Sequence, residues 1–301
     1  MERQLGLVDS ERRPKPVALA MKEMSALMER LPDFGQKETQ AVVLLPHDEQ
    51  KQNNATAAII LAKQAGFNVR IRNSESSPEP APLYLIPSIT GWAPLISNPW
   101  NDVLAQVREG ADLYVSFNGG SMTEFEEVFG LQSNGMIKKE RTHRAQFPFG
   151  TLEYTVSIEI LASSVGAEVL AVNEEGNVIF ARNACGKGHI YYLGFPLEKL
   201  ASEQCYGFQP DRTQPYYQVY RCFAAQTVEK SLIQCGNPYL GVTQSRQEDG
   251  SYLAAVVNYG DRPAAFDGIL RPVWQMERLY GEESEIPACD GLIFRCTPCK
   301  E

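Results

Sequence analysis

The first 184 residues of this 301-residue chain contain no cysteine. All seven cysteines lie in the second half, and the N-terminus has no secretory signal, so the sequence predicts free thiols in a reducing, cytoplasmic compartment. Cys296 and Cys299 form a single C-x-x-C pair. Without a second pair it favours ordinary thiols, and zinc or redox use remains the lesser alternative.

Long apolar runs and runs of basic residues are also absent. No apolar stretch approaches the roughly 20 residues that a bilayer-spanning helix needs. The formal net charge is −9, with 28 basic and 37 acidic side chains, which argues against nucleic acid or an anionic membrane as the main partner. The length and the 44% hydrophobic fraction suit a globular protein of two domains.

Side chains arranged for catalysis are scarce. The only histidines, His47, His143 and His189, lie in separate segments, and no cysteine nucleophile can follow an early strand. The turn around Cys185 is flanked by hairpin-like runs rather than by a strand and a helix, so it does not fit a nucleophile elbow. Paired glutamates are sequence neighbours, not groups from different strand ends. We therefore predict no catalytic residue, cofactor or metal in this chain.

The pattern from residue 41 to about residue 130 alternates strands with helices. Such alternation predicts βαβ crossovers, hence a mainly parallel sheet flanked by helices. Ser121 to Glu124 has a capping-box pattern that predicts a helix through Phe129. The predicted strands are 41–45, 67–71, 83–86 and 112–117, and the predicted helices before residue 120 are 49–65, which Gly66 ends, and 99–109.

The pattern changes after about residue 150. Alternating runs at 152–158, 167–172, 178–183 and 189–193 predict strands in hairpins, and a long helix is predicted at 214–234. Asp249 and Gly250 predict a two-residue hairpin turn. The last 65 or so residues, with short strands near 239–243, 251–258, 264–270, 273–279 and 291–296, predict a small antiparallel β-sandwich.

Two strand ends are candidate sites, because ligands bind at the carboxyl ends of strands in α/β sheets. His47 follows the first strand, and Asn118 follows the fourth, in a turn whose backbone amides could hold an anion. An ordinary strand-to-helix turn is the simpler interpretation of both. Trp92 and Trp100 lie in a Gly- and Pro-rich segment and could stack on a sugar or fill an interface, with core anchoring as the simpler alternative.

The N-terminal segment predicts a helix with one methionine-rich face. Its apolar positions recur at helical spacing and comprise Val17, Met21, Met24, Met28 and Leu31. Such a face needs a partner surface. Packing on the domain that follows is the simplest interpretation.

Four parts of the sequence are notable in their order: Gly6–Pro16 with the methionine-rich helix, Val107–Gly120 with Glu126–Gly130, Asn183–Gly194 and Ala255–Tyr259. Together they give the whole chain a resemblance to the C-terminal part of multidomain glycoside hydrolases built like the family 42 β-galactosidases. The resemblance implies that residues 1–35 form the closing helix of a truncated (β/α)8 barrel. It implies an amidotransferase-like α/β trimerisation domain at 36–237 and a C-terminal antiparallel β-domain at 238–301.

The resemblance also implies what this chain does. The family's catalytic glutamates lie on earlier barrel strands, so none can be assigned here, and the expected role is oligomerisation and shaping the rim of a catalytic barrel. The implied partners are a (β/α)8 barrel domain or subunit, further copies of the chain, with a trimer as one arrangement, and a carbohydrate. The alternative is a free-standing α/β enzyme, or a protein that binds a small molecule or carbohydrate, with its site near His47 and Asn118.

Overall fold

The structure, a computed structural model, describes residues 6–45, 51–91, 97–120, 122–281 and 285–299. Its helices are α1 (Pro16–Met28), α2 (Lys51–Ala65), α3 (Ser97–Glu109), α4 (Phe125–Phe129), α5 (Leu197–Glu203), α6 (Tyr217–Phe223) and α7 (Ala225–Glu229). Its strands are β1 (Gln36–Lys37), β2 (Ala41–Leu45), β3 (Val69–Asn73), β4 (Leu83–Ile89), β5 (Asp112–Phe117), β6 (Leu131–Phe147), β7 (Gly150–Ser164), β8 (Glu168–Val172), β9 (Val178–Cys185), β10 (Gly188–Leu193), β11 (Ile233–Gln234), β12 (Leu240–Arg246), β13 (Tyr252–Asn258), β14 (Ile269–Leu270), β15 (Trp274–Tyr280) and β16 (Gly291–Pro298).

A seven-stranded, mostly parallel sheet forms the centre of the first part, in the order β3-β2-β4-β5-β10-β9-β8. The first five of these strands are parallel, and β9 and β8 add antiparallel pairs at one edge. Both faces are buried: in β2, Val43 points into one core cluster while Val42 and Leu44 point into the other. The predicted α/β class with a mainly parallel sheet is confirmed.

The helices and strands of this sheet follow the predicted order with small shifts of boundary. The strand 112–117 is confirmed, and Gly66 ends α2 with φ +97°, as its predicted capping position requires. Strand β4 continues past the predicted end at Ile86 because the backbone passes Pro87 through a shift of register and pairs again at Ile89.

Three local predictions are wrong. Helix α4 begins at Phe125, after Glu124 with φ +58° and no side-chain cap, so the predicted helix start near Ser121 is wrong; Ser121 itself lies outside the described residues. The long helix 214–234 is interrupted at Ala224, whose φ of −96° and ψ of 11° separate α6 from α7. The turn at Gly250 is a three-residue loop, because Gln247 pairs with Ser251 and encloses residues 248–250.

Strands β6 and β7 form a long two-stranded ribbon, and the first of these strands was not predicted. Most of β6 before His143 is exposed on both faces, so its sequence lacks the period-two alternation of a half-buried strand. Alternation begins only where the ribbon meets the sheet. There the buried Glu159 of β7 accepts a hydrogen bond from Arg141 Nη1 of β6 at 2.8 Å. It also accepts one from Asn173 Nδ2 at 3.1 Å, which ties the ribbon to the end of β8.

The C-terminal part is built on a five-stranded sheet in the order β1-β12-β13-β16-β15. The short β11–β14 ribbon adds Ile233 and Leu270 to the core on this sheet. Residues 36–37 pair with β12, so the segment after α1 joins this sheet. The predicted strand 264–270 is reduced to Ile269–Leu270. Within the described ranges, no helix has the length and apolar character needed to cross a bilayer.

Lys63 joins the two parts. Its Nζ donates to the carbonyl oxygen of Val242 at 3.1 Å, and also to Asn68 Oδ1 and Thr243 Oγ1. All three acceptors are neutral. Burial, with a smaller contribution from the charge of Lys37, therefore lowers the pKa of Lys63 from 10.5 to about 7.

This pKa predicts how stability depends on pH. Between about pH 7 and 10.5 the unfolded chain keeps a proton on Lys63 that the folded chain has released, so folding becomes more favourable as pH rises through this window. We expect the free energy of unfolding of the wild type, relative to Lys63→Met, to increase from pH 6 to pH 10 in urea titrations. Lys139→Met, at an exposed position of β6, is the control. A difference that does not change with pH would contradict this explanation.

Candidate functional site

The carboxyl edge of the parallel sheet is where the sequence places a site. His47 and Trp92 lie in segments 46–50 and 92–96, outside the described residues. Asn118 follows β5, and the amides of Asn118 and Gly120 both donate to the carbonyl oxygen of Ile89, at 2.8 and 3.2 Å. The side chain of Ile158, on the β6–β7 ribbon, packs over this turn. A Cβ added to Gly119 would lie only 2.7 Å from it. These amides therefore hold the turn in place and do not face a free anion site.

Trp100 lies in α3 and is 6% exposed. It belongs to the core cluster between α3 and the sheet, with Val103 and Leu104. Its side chain thus has little surface for stacking on a sugar.

The polar cluster at this edge is centred on a residue that sequence reasoning missed, Glu198 of α5. Its carboxylate is completely buried, at 0% exposed. Oε2 accepts hydrogen bonds from Ser88 Oγ at 2.8 Å and Ser116 Oγ at 2.5 Å. Oε1 accepts hydrogen bonds from Tyr114 at 3.0 Å and Tyr220 at 2.9 Å. We call these five side chains the Glu198 cluster.

The number of hydrogen bonds to the Glu198 carboxylate explains why it can be buried. An ionised carboxylate accepts about four hydrogen bonds and donates none, and here four hydroxyl groups supply them. Burial, and then the negative charge of Glu198, raises the pKa of Tyr114 and Tyr220 well above the ordinary value, so both remain donors. Charge-assisted bonds of this kind offset the cost of burying the charge.

Ser88 has a strained backbone in this cluster. Its φ of +49° is left-handed for a residue that is not glycine, and it lies at the shift of register in β4. Its amide donates to Ser116 Oγ at 2.6 Å, and its Oγ accepts a hydrogen bond from the amide of Lys199 at 3.3 Å. Every polar atom of Ser88 named here bonds within the protein, so the cluster fastens α5 and α6 to the ends of β4 and β5. The sequence signal was the single glutamate, Glu198, in the short segment Phe195–Leu200, whose other residues are apolar except Lys199.

The methionine-rich face of α1 is exposed to solvent. Met21 is 55% and Met24 50% exposed, and Val17, Leu19 and Met28 are exposed to a similar degree. Leu27 is the one buried residue of this helix. The simplest interpretation, that this face packs on the following domain, is therefore wrong.

In the part of the chain that the structure describes, no group of three or more His, Cys, Asp or Glu side chains could hold a metal ion. The cysteines are free. Cys296 is buried in the C-terminal core and Cys299 is exposed beyond it, and burial raises the pKa of the Cys296 thiol to about 11.

The fold is similar to that of solved glycoside hydrolases. The β-galactosidase from Bacillus circulans sp. alkalophilus matches 98% of this chain with 48% of its own, at 14% identity and a TM-score of 0.70. A catalytic mutant of a glycoside hydrolase family 42 β-galactosidase from G. stearothermophilus matches 96% with 45% of its own, at 12% identity and 0.64. The α-L-fucosidase isoenzyme 2 from Paenibacillus thiaminolyticus matches 93% with 52%, at 10% identity and 0.67.

These likenesses concern the fold alone, because the identities are low. The chain spans about half the length of each of these enzymes. No family model matches the sequence, and no curated protein matches it.

The Glu198 cluster makes a prediction about stability. Glu198→Gln keeps the shape but replaces two acceptor positions with an amide donor that faces hydroxyl groups. We expect a loss of about 2–3 kcal/mol in the free energy of unfolding by urea titration. Glu203→Gln, at the exposed end of the same helix, should change it by less than about 0.5 kcal/mol. Equal losses in the two variants would show that the cluster does not stabilise the fold.

Proposed function

We propose that this chain is a non-catalytic C-terminal portion, or a separately encoded subunit, of a glycoside hydrolase resembling the family 42 β-galactosidases. Its work is oligomerisation and shaping the rim of a catalytic (β/α)8 barrel. Residues 1–35 contribute the closing helix of that barrel, residues 36–237 an amidotransferase-like trimerisation domain, and residues 238–301 a small β-domain. The free cysteines support a cytoplasmic location.

The exposed apolar face of α1 carries this proposal. A helix that shows Val17, Met21, Met24 and Met28 to solvent leaves an apolar surface that soluble proteins normally cover. The fold likeness supplies the kind of partner, since β-galactosidases of similar fold are about twice as long as this chain. Covering this face with the remainder of a barrel explains both observations.

The described carboxylates support a non-catalytic role. Glycoside hydrolysis generally uses two carboxyl groups that face the sugar from opposite sides of a cleft. The two most buried glutamates, Glu159 and Glu198, are 1% and 0% exposed and accept hydrogen bonds from the protein itself. Neither can reach a substrate without breaking a cluster that holds the fold together.

The edge of the seven-stranded sheet supports oligomerisation. Strand β8 is the last strand on its side, and Val169 and Val172 are exposed on it. Apolar side chains on an exposed edge strand favour association with another chain. Trp92 is the remaining aromatic candidate for the rim or for an interface between copies.

The proposal predicts that the purified chain alone has no glycosidase activity. Aryl β-galactosides, β-mannosides and α-fucosides should release no more chromophore with the chain than with buffer, because the catalytic pair lies on another segment or subunit. A (β/α)8 barrel encoded upstream of the codon for Met1, or copurifying with the chain, is expected. Turnover of an aryl glycoside by the pure chain would exclude this function and favour a free-standing enzyme.

A second prediction concerns the helix face itself. Met24→Lys should reduce binding of an apolar fluorescent dye and concentration-dependent association in sedimentation velocity, since it puts a charge in the centre of the face. The free energy of unfolding should change by less than about 0.5 kcal/mol because Met24 is exposed. Met136→Lys, an exposed methionine on the ribbon, is the matched control. An unchanged dye signal in Met24→Lys would show that the face is not the adhesive surface.

A further inference from the structure

Four segments of the chain line a cavity of about 340 Å³ at the junction of the two sheets. Helix α2 contributes Ile59 and Lys63, the loop after α5 contributes Phe208, and the ends of β12 and β13 contribute Tyr239 and Tyr259. This volume lies in the range of small-molecule sites. The Glu198 cluster is not part of its wall.

Two glycines leave room for the tyrosine rings in this wall. A Cβ on Gly241 would lie 2.5 Å from Tyr259 Cε2, and a Cβ on Gly260 would lie 3.2 Å from Tyr239 Cδ1. The Tyr259 ring therefore packs closely against the backbone at Gly241. It is nevertheless 64% exposed, so much of its surface is free to contact a ligand.

Besides Lys63 and the two tyrosine hydroxyl groups, the polar groups of the wall are two amides, Gln64 and Gln209, and the carboxylate of Asp261. Gln64 is oriented by a bond from its Nε2 to the carbonyl oxygen of Phe208 at 2.7 Å. The Asp261 carboxylate lies 3.3 Å from the Arg212 guanidinium, which offsets its charge. Lys63 contributes its alkyl stem, because its Nζ already donates to Val242 and two other acceptors.

We propose that this junction cavity binds one ring of a neutral sugar, stacked on Tyr259. Aromatic and apolar walls suit the C–H face of a sugar ring, and amide and carboxylate groups at the edge suit its hydroxyl groups. A cationic ligand would gain little, since Arg212 already pairs with Asp261. This site is separate from the strand ends, and its existence does not depend on the proposed glycosidase partnership.

Saturation-transfer NMR on the full chain with D-galactose, D-mannose and L-fucose tests the proposal. We expect signals from the ring protons of at least one sugar. Its affinity should be about tenfold lower in Tyr259→Ala and within about twofold of the wild type in Tyr259→Phe, which keeps the ring. Ile269→Ala, at an exposed apolar position on the β11–β14 ribbon, should bind like the wild type.

Thermal unfolding of each variant establishes that it is folded. Because Tyr259 is exposed, we expect no large decrease in the melting temperature of its variants. Gly241→Ala, which displaces the Tyr259 ring, should weaken sugar binding as well. The proposal is overturned if none of the three sugars binds, if Tyr259→Ala binds as the wild type does, or if tetramethylammonium binds where the sugars do not. Glycosidase assays of the chain leave this result unaffected, so the two proposals fail independently.

Discussion

The structure depends on two constraints on its mostly parallel sheet. Both faces of the sheet must be covered, and its carboxyl edge must be closed. Helices and the β6–β7 ribbon cover the faces, and the Glu198 cluster closes the edge. A buried carboxylate is tolerated only when its acceptor positions are filled, and hydroxyl groups from β4, β5 and α6 fill them. The same bonds hold α5 and α6 against the strand ends.

Closing this edge changes where function can be expected. The crevice at the carboxyl ends of strands is the usual ligand site of such a sheet. Here the described part of it is filled by Glu198 and by the turn at Asn118, whose amides bond to Ile89. The free surfaces lie elsewhere, on the apolar face of α1 and in the cavity between α2 and the ends of β12 and β13.

Sequence reasoning succeeded where periodicity reports burial directly. Strand β5 and the end of α2 at Gly66 were predicted because each depends on the local sequence. An apolar run marks the strand, and a glycine marks the end of the helix. It failed for β6, whose exposed first half has no buried face to impose alternation, and at Ala224, where no glycine or proline marks the interruption of the helix. The Glu198 cluster was missed because Ser88, Ser116 and Glu198 are far apart in the sequence.

The sequence by itself determined the α/β class, the antiparallel character of the C-terminal strands and the methionine spacing of α1, because each follows from contacts within one element or its neighbours. Tertiary structure alone decided that the methionine face stays uncovered, that Glu198 is buried among hydroxyl groups, and that Tyr259 faces a cavity beside α2. These depend on which distant segments pack together. That is set by the sum of many weak contacts and has no signature in any single stretch of the chain.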